Sequence, residues 1–349
     1  MKLFIYSNPS ESLRLLEKSI RNYGEANDIE CYFKLIEPSA LTDQTFFSDE
    51  DHYEIENSDA IVTWGTWGSV HPARQWSPGN CKNQNNKQGF KDSVNRFASA
   101  LAVGYNIPHL VSETATLSRL RLNYVSASRL KSVNPVYYRL GINHWTYAKT
   151  TWPKPQNNLS RLKKFETEFQ QNYQNGFAFN RHRWKNDRTE HGTIFILPGL
   201  EQDPTSTLPP GSWVRKSVEK IRKITNRAIV VKPHPLSSTN YKKILDQHQD
   251  IRILESTDKI KDFLEHMYCA VVDNSTSVFE LVDAGIPVFC SKVNFAQGLG
   301  NTDLDNIENI TYASKKKYQS WANQMSYTEY SIHEWNNGEI LPVIKSLIK

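Results

Sequence analysis

The chain has 349 residues, of which 38% are hydrophobic and 23% charged, and its formal net charge is +5. That length suits two domains of about 150 residues each, and the composition is that of an ordinary globular protein. No apolar run approaches the ~18 to 20 residues that a membrane-spanning helix needs, so a membrane protein is not expected.

The N-terminus and the cysteines indicate where the protein works and what it binds. Residues 1–7 become polar too soon for a signal peptide and look like a β-strand, so a cytoplasmic location is expected. The four cysteines lack the paired spacing of a zinc or redox motif, and the ten histidines form no H-x-x-x-H pattern. The sequence therefore predicts no metal site, and it indicates no obligate protein partner.

Strands and helices alternate along residues 1–165, which form the first predicted domain. Helices are predicted at 11–23 and 88–105, where apolar residues recur at helical spacing. Strands are predicted at 2–6, 29–35, 58–64 and 107–111. This alternation is the doubly wound α/β pattern, in which the sheet is mostly parallel.

Glu113 follows the last of these strands. Acids at the carboxyl end of a strand face the ligand-binding edge of an α/β sheet, so a catalytic role is one interpretation. A helix N-terminal acid, stabilised by the helix dipole, is the other.

A basic and aromatic stretch, residues 114–165, comes next. It contains ten Lys and Arg residues and no acidic residue, and Tyr and Trp are interleaved with the cations. Aromatic rings can stack on bases or sugars, while neighbouring guanidinium groups bind phosphates. A solvated basic face is the alternative, and residues 136–141 can equally be a strand with an aromatic core face. The acceptor-binding candidates are Arg119, Arg121, Arg129, Tyr138, Arg139 and Trp145, with Trp67 from an earlier glycine-aromatic turn.

The second predicted domain spans residues 191–335, after a polar interdomain passage at 166–190. Its strands are predicted at 192–197, 227–231, 251–254, 269–272 and from 287 onwards, and its helices at 212–225, 262–266 and 277–284. The last two strands and the helix between them form a βαβ unit with parallel strands. Residues 318–349 are predicted to be helical and aromatic, with 336–349 packing at the domain junction.

Two polar clusters follow buried strands in this second domain. Lys232–Pro235 ends one strand, and Asn274–Ser277 lies between another strand and a helix that carries Glu280 one turn inside. Ligands in parallel α/β sheets bind beyond the carboxyl ends of the strands, so both clusters are expected to face one crevice from neighbouring strands. Hydroxyls and unpaired N–H groups at the start of a helix favour an anion such as a phosphate, although ordinary N-capping explains the same residues.

These motifs resemble those of GT-B glycosyltransferases, in particular the capsule and Kdo-transferase type and related phage-encoded transferases. Lys232–Pro235 matches the basic-Pro-His-Pro element, and Asn274–Glu280 matches the Ser/Thr-rich turn before a helix with a donor-binding acid. Gly285–Val288 matches the step from helix end to strand. The departures are Lys where Arg often precedes Pro-His-Pro, and the lack of a pair of acids in the first domain.

The resemblance implies an α/β protein with two Rossmann-like domains facing across a cleft. It also implies a nucleotide-sugar donor, a UDP-sugar or a CMP-sugar, as co-substrate without a metal. The donor-binding residues it implies are Lys232, His234, Asn274, Ser275, Thr276, Ser277 and Glu280, with Gly199 after a strand. The catalytic candidates are Glu113 and Asp203 as alternative bases, together with His234.

The favoured acceptor is a 5-hydroxymethylpyrimidine base in phage DNA, because the basic and aromatic stretch suits a base flipped out between rings. In that case the protein works in the cytoplasm of the host. A bacterial surface glycan or lipid-linked sugar is the close alternative, since aromatic rings also stack on sugars. A non-catalytic nucleotide or nucleic-acid binding module and a nucleotide-sugar epimerase are the other readings of the same fold.

Overall fold

The computed structural model of the chain describes residues 1–7, 11–35, 47–64, 98, 100–114, 137–142, 152–172, 192–199, 211–235, 237–273, 275–290, 294–296 and 298–349. These residues fall into two compact units. The first comprises the described residues up to 142 together with 152–154 and 327–349, and the second comprises 155–326. The boundaries predicted from sequence differ, because the helix at 160–172 groups with the second unit and residues 327–349 with the first.

A six-stranded sheet forms the centre of the first unit. Its strands are β1 (Lys2–Ser7), β2 (Glu30–Leu35), β3 (Ala60–Trp64), β4 (His109–Thr114), β5 (Tyr137–Ile142) and β11 (Glu329–Ser331). The order is β11-β5-β4-β3-β1-β2. Strands β1 to β4 are parallel to one another, whereas β5 and β11 each pair antiparallel with their neighbours. The predicted parallel core is therefore extended by an antiparallel margin.

Helices cover both faces of this sheet. They include α1 (Glu11–Asn27), α2 (Asp49–Glu56), α8 (Ile332–Asn336) and α9 (Leu341–Ile348), and residues 98 and 100–104 are helical as well. Leu13 and Leu16 of α1 are fully buried with Trp335 and Ile344 in one hydrophobic cluster. The apolar positions at 13, 16 and 20, read from sequence as a helix face, pack on the sheet because they recur every three to four residues.

Strand β11 corrects the prediction of continuous helix over residues 318–349. Ser331 begins a new helix through a capping box, in which its Oγ accepts from the Glu334 N–H and the Glu334 carboxylate accepts from the Ser331 N–H at 2.7 Å. The residues before this cap pair with β5 instead, with Tyr330 opposite Tyr138. The Ser-x-x-Glu spacing is a signal in the sequence from which the break could have been predicted.

The second unit has a sheet of five parallel strands in the order β10-β9-β6-β7-β8. Its strands are β6 (Thr193–Leu197), β7 (Ile229–Val231), β8 (Arg252–Ile253), β9 (Met267–Val272) and β10 (Val288–Cys290). Strands β9 and β10 pair in parallel with Phe289 opposite Val271, so the predicted parallel pairing of the βαβ unit is confirmed.

The described part of the second unit contains five α-helices and two 3₁₀ helices. They are α3 (Ser160–Asn172), α4 (Ser212–Arg222), α5 (Tyr241–Ile244), α6 (Val278–Asp283) and α7 (Lys315–Ser326), with 3₁₀ helices at Ile260–His266 and Leu304–Asn306. Helix α4 buries Val214, Val218 and Ile221 against the sheet. No helix in the described part of the chain combines the length and the apolar character that a bilayer span requires.

Candidate active site

The carboxyl edge of the second sheet brings three predicted site segments together. Leu197 of β6 lies opposite Val272 of β9, and Ile196 lies opposite Val231 of β7. Because these three strands end level with one another, the segments that follow them leave the sheet at the same edge. They carry Gly199 after β6, His234 after β7 and Ser275 after β9.

The two polar clusters do not follow directly neighbouring strands, which corrects that part of the expectation. Strand β6 lies between β7 and β9 in the sheet. Two strand spacings of about 4.8 Å separate the strand ends by roughly 10 Å. Gly199, which is buried, lies after the central strand, between the two clusters.

His234 is half-buried and held by the backbone on both sides. Prolines flank it at 233 and 235, and each fixes its own φ near −65°. Its carbonyl accepts a hydrogen bond from the Ser237 N–H at 2.9 Å, which closes a turn after the strand. These restraints give the backbone of His234 a defined position at the edge of the sheet.

Lys232 is the buried cation of this edge, with 6% of the residue exposed. Its Nζ donates to the Pro233 carbonyl at 2.7 Å and to the Ser256 carbonyl at 3.0 Å. Burial lowers the pKa of the ammonium, and the negative charge of Asp258 opposes that shift. Among the residues that the structure describes, no carboxylate forms an ion pair with it. Contact between Lys232 and the donor stays a prediction.

The hydroxyl turn, Ser275–Ser277, leads into α6. Ser275 is 5% exposed; its Oγ donates to the Ser277 Oγ at 3.0 Å and accepts from the Ser277 N–H at 3.3 Å. Thr276 and Ser277 are half-buried, and the side chain of Ser277 makes no capping bond. The N-capping alternative therefore accounts for only part of this turn, because Ser275 binds the Ser277 N–H but Ser277 caps no helix N–H. Thr276 and Ser277 remain candidates for binding an anion.

Asn294 supports this turn and was missed by the sequence analysis. The residue is fully buried, and its Nδ2 donates to the Asp273 carbonyl at 2.5 Å, directly after β9. Its Oδ1 accepts from the Ala296 N–H at 3.0 Å. Asn294 thus ties the chain that follows β10 to the start of the hydroxyl turn. An asparagine in a polar loop carries no sequence signal for such a role.

Aromatic residues hold α6 from the side. The ring of Phe279 lies 5.1 Å from that of Phe295 and 5.6 Å from that of Trp321, measured between centroids. The Trp321 indole donates to the Phe295 carbonyl at 2.8 Å. Aromatic pairs at this spacing add stabilisation beyond the area that they bury. The helix that carries Glu280 is therefore fixed against α7.

Glu280 is a carboxyl with altered acidity in the first turn of α6. The residue is half-buried, and burial raises its pKa to about 7. Lys261 lowers this pKa and Asp262 raises it, so the 3₁₀ helix at Ile260–His266 faces the carboxyl with one charge of each sign. Near neutral pH the group is therefore protonated to a greater extent than an ordinary glutamate, and a protonated carboxyl can donate as well as accept a hydrogen bond to a ribose hydroxyl.

We expect Glu280→Gln to change how stability depends on pH. The pKa in the folded state, about 7, lies above the reference value of 4.5, so the folded state binds the extra proton between these values. Stability from this group is present below pH 4.5 and is lost as the pH rises through 7, by up to about 3 kcal/mol.

The measurement is urea unfolding of wild type and Glu280→Gln at pH 5 and pH 8. The variant should gain stability relative to wild type at pH 8, whereas Glu219→Gln, on the exposed face of α4, should show no such gain. An equal difference between wild type and Glu280→Gln at both pH values would contradict the assignment.

The first unit holds two of the remaining candidates side by side. Glu113 lies within β4, and its backbone pairs in register with Arg139 of β5. Arg139 is half-buried and also lies opposite Glu329 of β11, which is 2% exposed. The antiparallel pairing of β5 with β4 thus brings a base candidate and an acceptor candidate to adjacent positions.

Tyr138 is a core residue, which corrects its assignment to the acceptor site. The residue is 5% exposed, and its ring packs edge-on against Trp335 at 6.1 Å in the hydrophobic core of the first unit. A ring buried there does not stack on an acceptor. The alternative of a strand with an aromatic core face is the correct description of Tyr138.

Other candidates lie outside the described residues. They are Trp67, Arg119, Arg121, Arg129, Trp145, Asp203 and Asn274. Among the cations of the basic and aromatic stretch, Arg161 joins α3 to the end of α7, since its Nε donates to the Ser326 carbonyl at 2.5 Å. Lys154, Lys163 and Lys164 are exposed.

A cavity of about 510 Å³ lies elsewhere in the second unit. Thr193 and Met267 line it, and these residues begin β6 and β9. It therefore opens near the amino ends of the strands, at the opposite end of the sheet from His234 and the hydroxyl turn. None of the predicted site residues lines it.

Comparison with known proteins shows the fold. No protein-family model matches the chain, and no curated protein matches it in sequence. The structure is similar to that of the beta Kdo 2,4 transferase of Thermosulfurimonas dismutans KpsC, with a TM-score of 0.51 and 15% identity, over 100% of this chain and 98% of that one. The beta Kdo 2,7 transferase of the same KpsC gives a TM-score of 0.49 at 15% identity, with both chains fully covered. The predicted fold class, α/β with mostly parallel sheets in two Rossmann-like units of GT-B type, is confirmed by the first likeness.

Proposed function

We propose that the chain is a glycosyltransferase that moves a sugar from a nucleotide-activated donor to a hydroxyl acceptor. The observation that carries the proposal is the shared carboxyl edge of β7 and β9, which presents His234 and the hydroxyl turn on either side of Gly199. Ligands of parallel α/β sheets bind at this edge. The GT-B fold supports the proposal as an analogy of architecture.

The second unit handles the leaving group in this proposal. The acceptor oxygen attacks the anomeric carbon, and the bond from that carbon to the phosphate oxygen breaks with its electrons on the phosphate. N–H groups and hydroxyls of the hydroxyl turn, together with His234, stabilise the charge that develops there.

A carboxylate acts as the base in this proposal. The acceptor hydroxyl gives its proton to a carboxylate, either Glu113 at the end of β4 or Asp203. The location of Glu113 supports it as the first choice, because it lies at the carboxyl end of a parallel strand.

A surface glycan is the acceptor that the whole-chain likeness favours, since the similar protein is named a Kdo transferase. A 5-hydroxymethylpyrimidine in DNA is the second candidate, supported by the ten cations and no acids of residues 114–165. The burial of Tyr138 removes one ring from that second case.

A product screen tests the function directly. UDP-sugars and CMP-sugars, CMP-Kdo among them, are offered with oligosaccharide acceptors and with hydroxymethylcytosine or hydroxymethyluracil DNA, and products are read by mass spectrometry. A sugar-acceptor adduct with any pair supports the transferase. Nucleotide binding without product identifies a non-catalytic module, and conversion of the donor without an acceptor identifies an epimerase.

Salt dependence separates the two acceptors. If DNA is the acceptor, its affinity should fall by about 10³-fold between 50 and 200 mM salt for some six phosphate contacts, because bound counterions are released. A neutral glycan should bind equally at both concentrations. Fluorescence anisotropy with a labelled duplex and a labelled oligosaccharide measures this. A flat salt response for DNA would remove DNA as the acceptor.

A further inference from the structure

Lys232 joins two loops at the carboxyl edge of the second sheet. Its ammonium has three N–H donors, and two of them bind the carbonyls of Pro233 and Ser256 at 2.7 and 3.0 Å. Pro233 belongs to the segment after β7, and Ser256 belongs to the turn after β8. The residue is 6% exposed, so these contacts are largely shielded from water and are correspondingly strengthened.

The turn after β8 is a fixed anchor for this contact. Its Glu255 N–H donates to the Asp258 carboxylate at 3.0 Å, and the Asp258 N–H donates to the Glu255 carbonyl at 3.1 Å. The Leu254 N–H donates to the Val231 carbonyl at 3.0 Å, which attaches the turn to the end of β7. The Ser256 carbonyl is therefore an acceptor whose position is set independently of His234.

The other contact of Lys232 fixes the backbone of His234. The Pro233 carbonyl belongs to the planar peptide that links Pro233 to His234, so holding its oxygen holds the plane of that peptide. The ring of Pro233 fixes φ on one side, and the turn bond from Ser237 to the His234 carbonyl holds the other. The direction in which the Cα–Cβ bond of His234 leaves the backbone is thus coupled to the position of the ammonium.

We infer that Lys232 is a positioning residue, which aims His234 at the donor by tying Lys232–Pro235 to the turn at 255–258, and that it does not bind the donor itself. The inference rests on the proposed function of His234. It differs from the direct phosphate contact that the family resemblance implies for Lys232.

A double-mutant cycle tests the coupling. Lys232→Met should lower kcat/KM by about 10²-fold, since a shift of about 1 Å in a reacting group has that effect. The variant Lys232→Met/His234→Ala should lie within about 3-fold of His234→Ala, because residues that act as a unit are non-additive. Losses that multiply in the double variant would show an independent donor contact and overturn the inference.

Asp258→Ala tests the contact between Lys232 and Ser256 by altering the turn at 255–258. It removes the side-chain bond that closes the turn at 255–258, together with the negative charge that favours the ammonium form of Lys232, and it keeps the side chains of Lys232 and His234. We expect kcat/KM to fall about 5-fold. Lys242→Met, at an exposed lysine of α5, is the matched control and should keep the wild-type value. Wild-type kinetics in a folded Asp258→Ala would count against positioning, and this variant decides the question if Lys232→Met does not fold.

An activity-independent measurement separates this inference from the proposed function. The imidazole ¹⁵N resonances of His234, assigned by their loss in His234→Ala, should shift in Lys232→Met and Asp258→Ala but not in Lys242→Met. If these resonances shift while no donor gives product, the transferase proposal fails and the positioning role stands. If product forms and the resonances do not move, the positioning role is refuted.

Discussion

His234→Ala is expected to lower kcat/KM for the nucleotide-activated donor by about 10²- to 10⁴-fold, the range for a group that transfers a proton or supports the leaving group. The backbone of His234 is held at the carboxyl edge by two prolines and a closed turn, with the hydroxyl turn across β6. Alanine removes both hydrogen-bonding nitrogens and leaves the backbone restraints intact. Steady-state kinetics with mass-spectrometric detection of product measures the effect.

His266→Ala is the matched control for this experiment. His266 is exposed and ends the 3₁₀ helix near the amino end of β9, at the opposite end of the sheet. Its replacement should leave kcat/KM unchanged, and thermal unfolding should show both variants folded. A steady-state rate for His234→Ala equal to that of wild type would remove His234 from the active site.

The variant that removes the base, either Glu113→Gln or Asp203→Asn, is expected to lower kcat by about 10²- to 10⁴-fold while donor binding persists. An amide has nearly the shape of the carboxylate but does not accept the proton of the acceptor hydroxyl. Titration calorimetry with UDP and CMP reports binding, and the product assay reports turnover. The two readouts separate loss of the base from loss of the donor site.

Glu50→Gln serves as the control for the first unit, since Glu50 is an exposed acid of α2. It should retain both binding and turnover. If Glu113→Gln and Asp203→Asn are both fully active, the base is a different group. If only one is inactive, the choice between the two candidates is made.

The sequence predicted most strands of both sheets because each is a short apolar run bounded by turn residues. Strands β1, β3, β6 and β9 lie within a few residues of the predicted ranges. The short strand β11 was not predicted, since three residues between two helical patterns give no periodicity of their own. It forms because β5 offers an unpaired edge to which it can bind.

Residues 327–349 show the same limit at the level of domains. Residues 318–349 were predicted to be helical, with 336–349 packing at the domain junction; in the structure Trp335, Ile340 and Ile344 are fully buried in the core of the first unit. An amphipathic pattern states that a face is buried but not against which partner. Which element packs against that face depends on the three-dimensional path of the chain.

The sequence predicted which segments form the candidate site, but it did not predict how they are arranged relative to one another. The rule that ligands bind at the carboxyl ends of parallel strands placed His234 and the hydroxyl turn at one edge, and the structure agrees. The rule does not give strand order, so the position of β6 between them was not foreseen. Nor does it reveal Asn294, whose buried amide binds the chain end of β9.

By itself, the sequence determined the alternation of strands and helices, the parallel βαβ unit and the residue types at the edge, because these depend on periodicity and caps within a few residues. Only the tertiary structure decided that Tyr138 is core, that Glu113 pairs with Arg139, and that Lys232 binds a carbonyl at position 256. Those outcomes depend on strand order, register and burial, which join residues far apart in the chain.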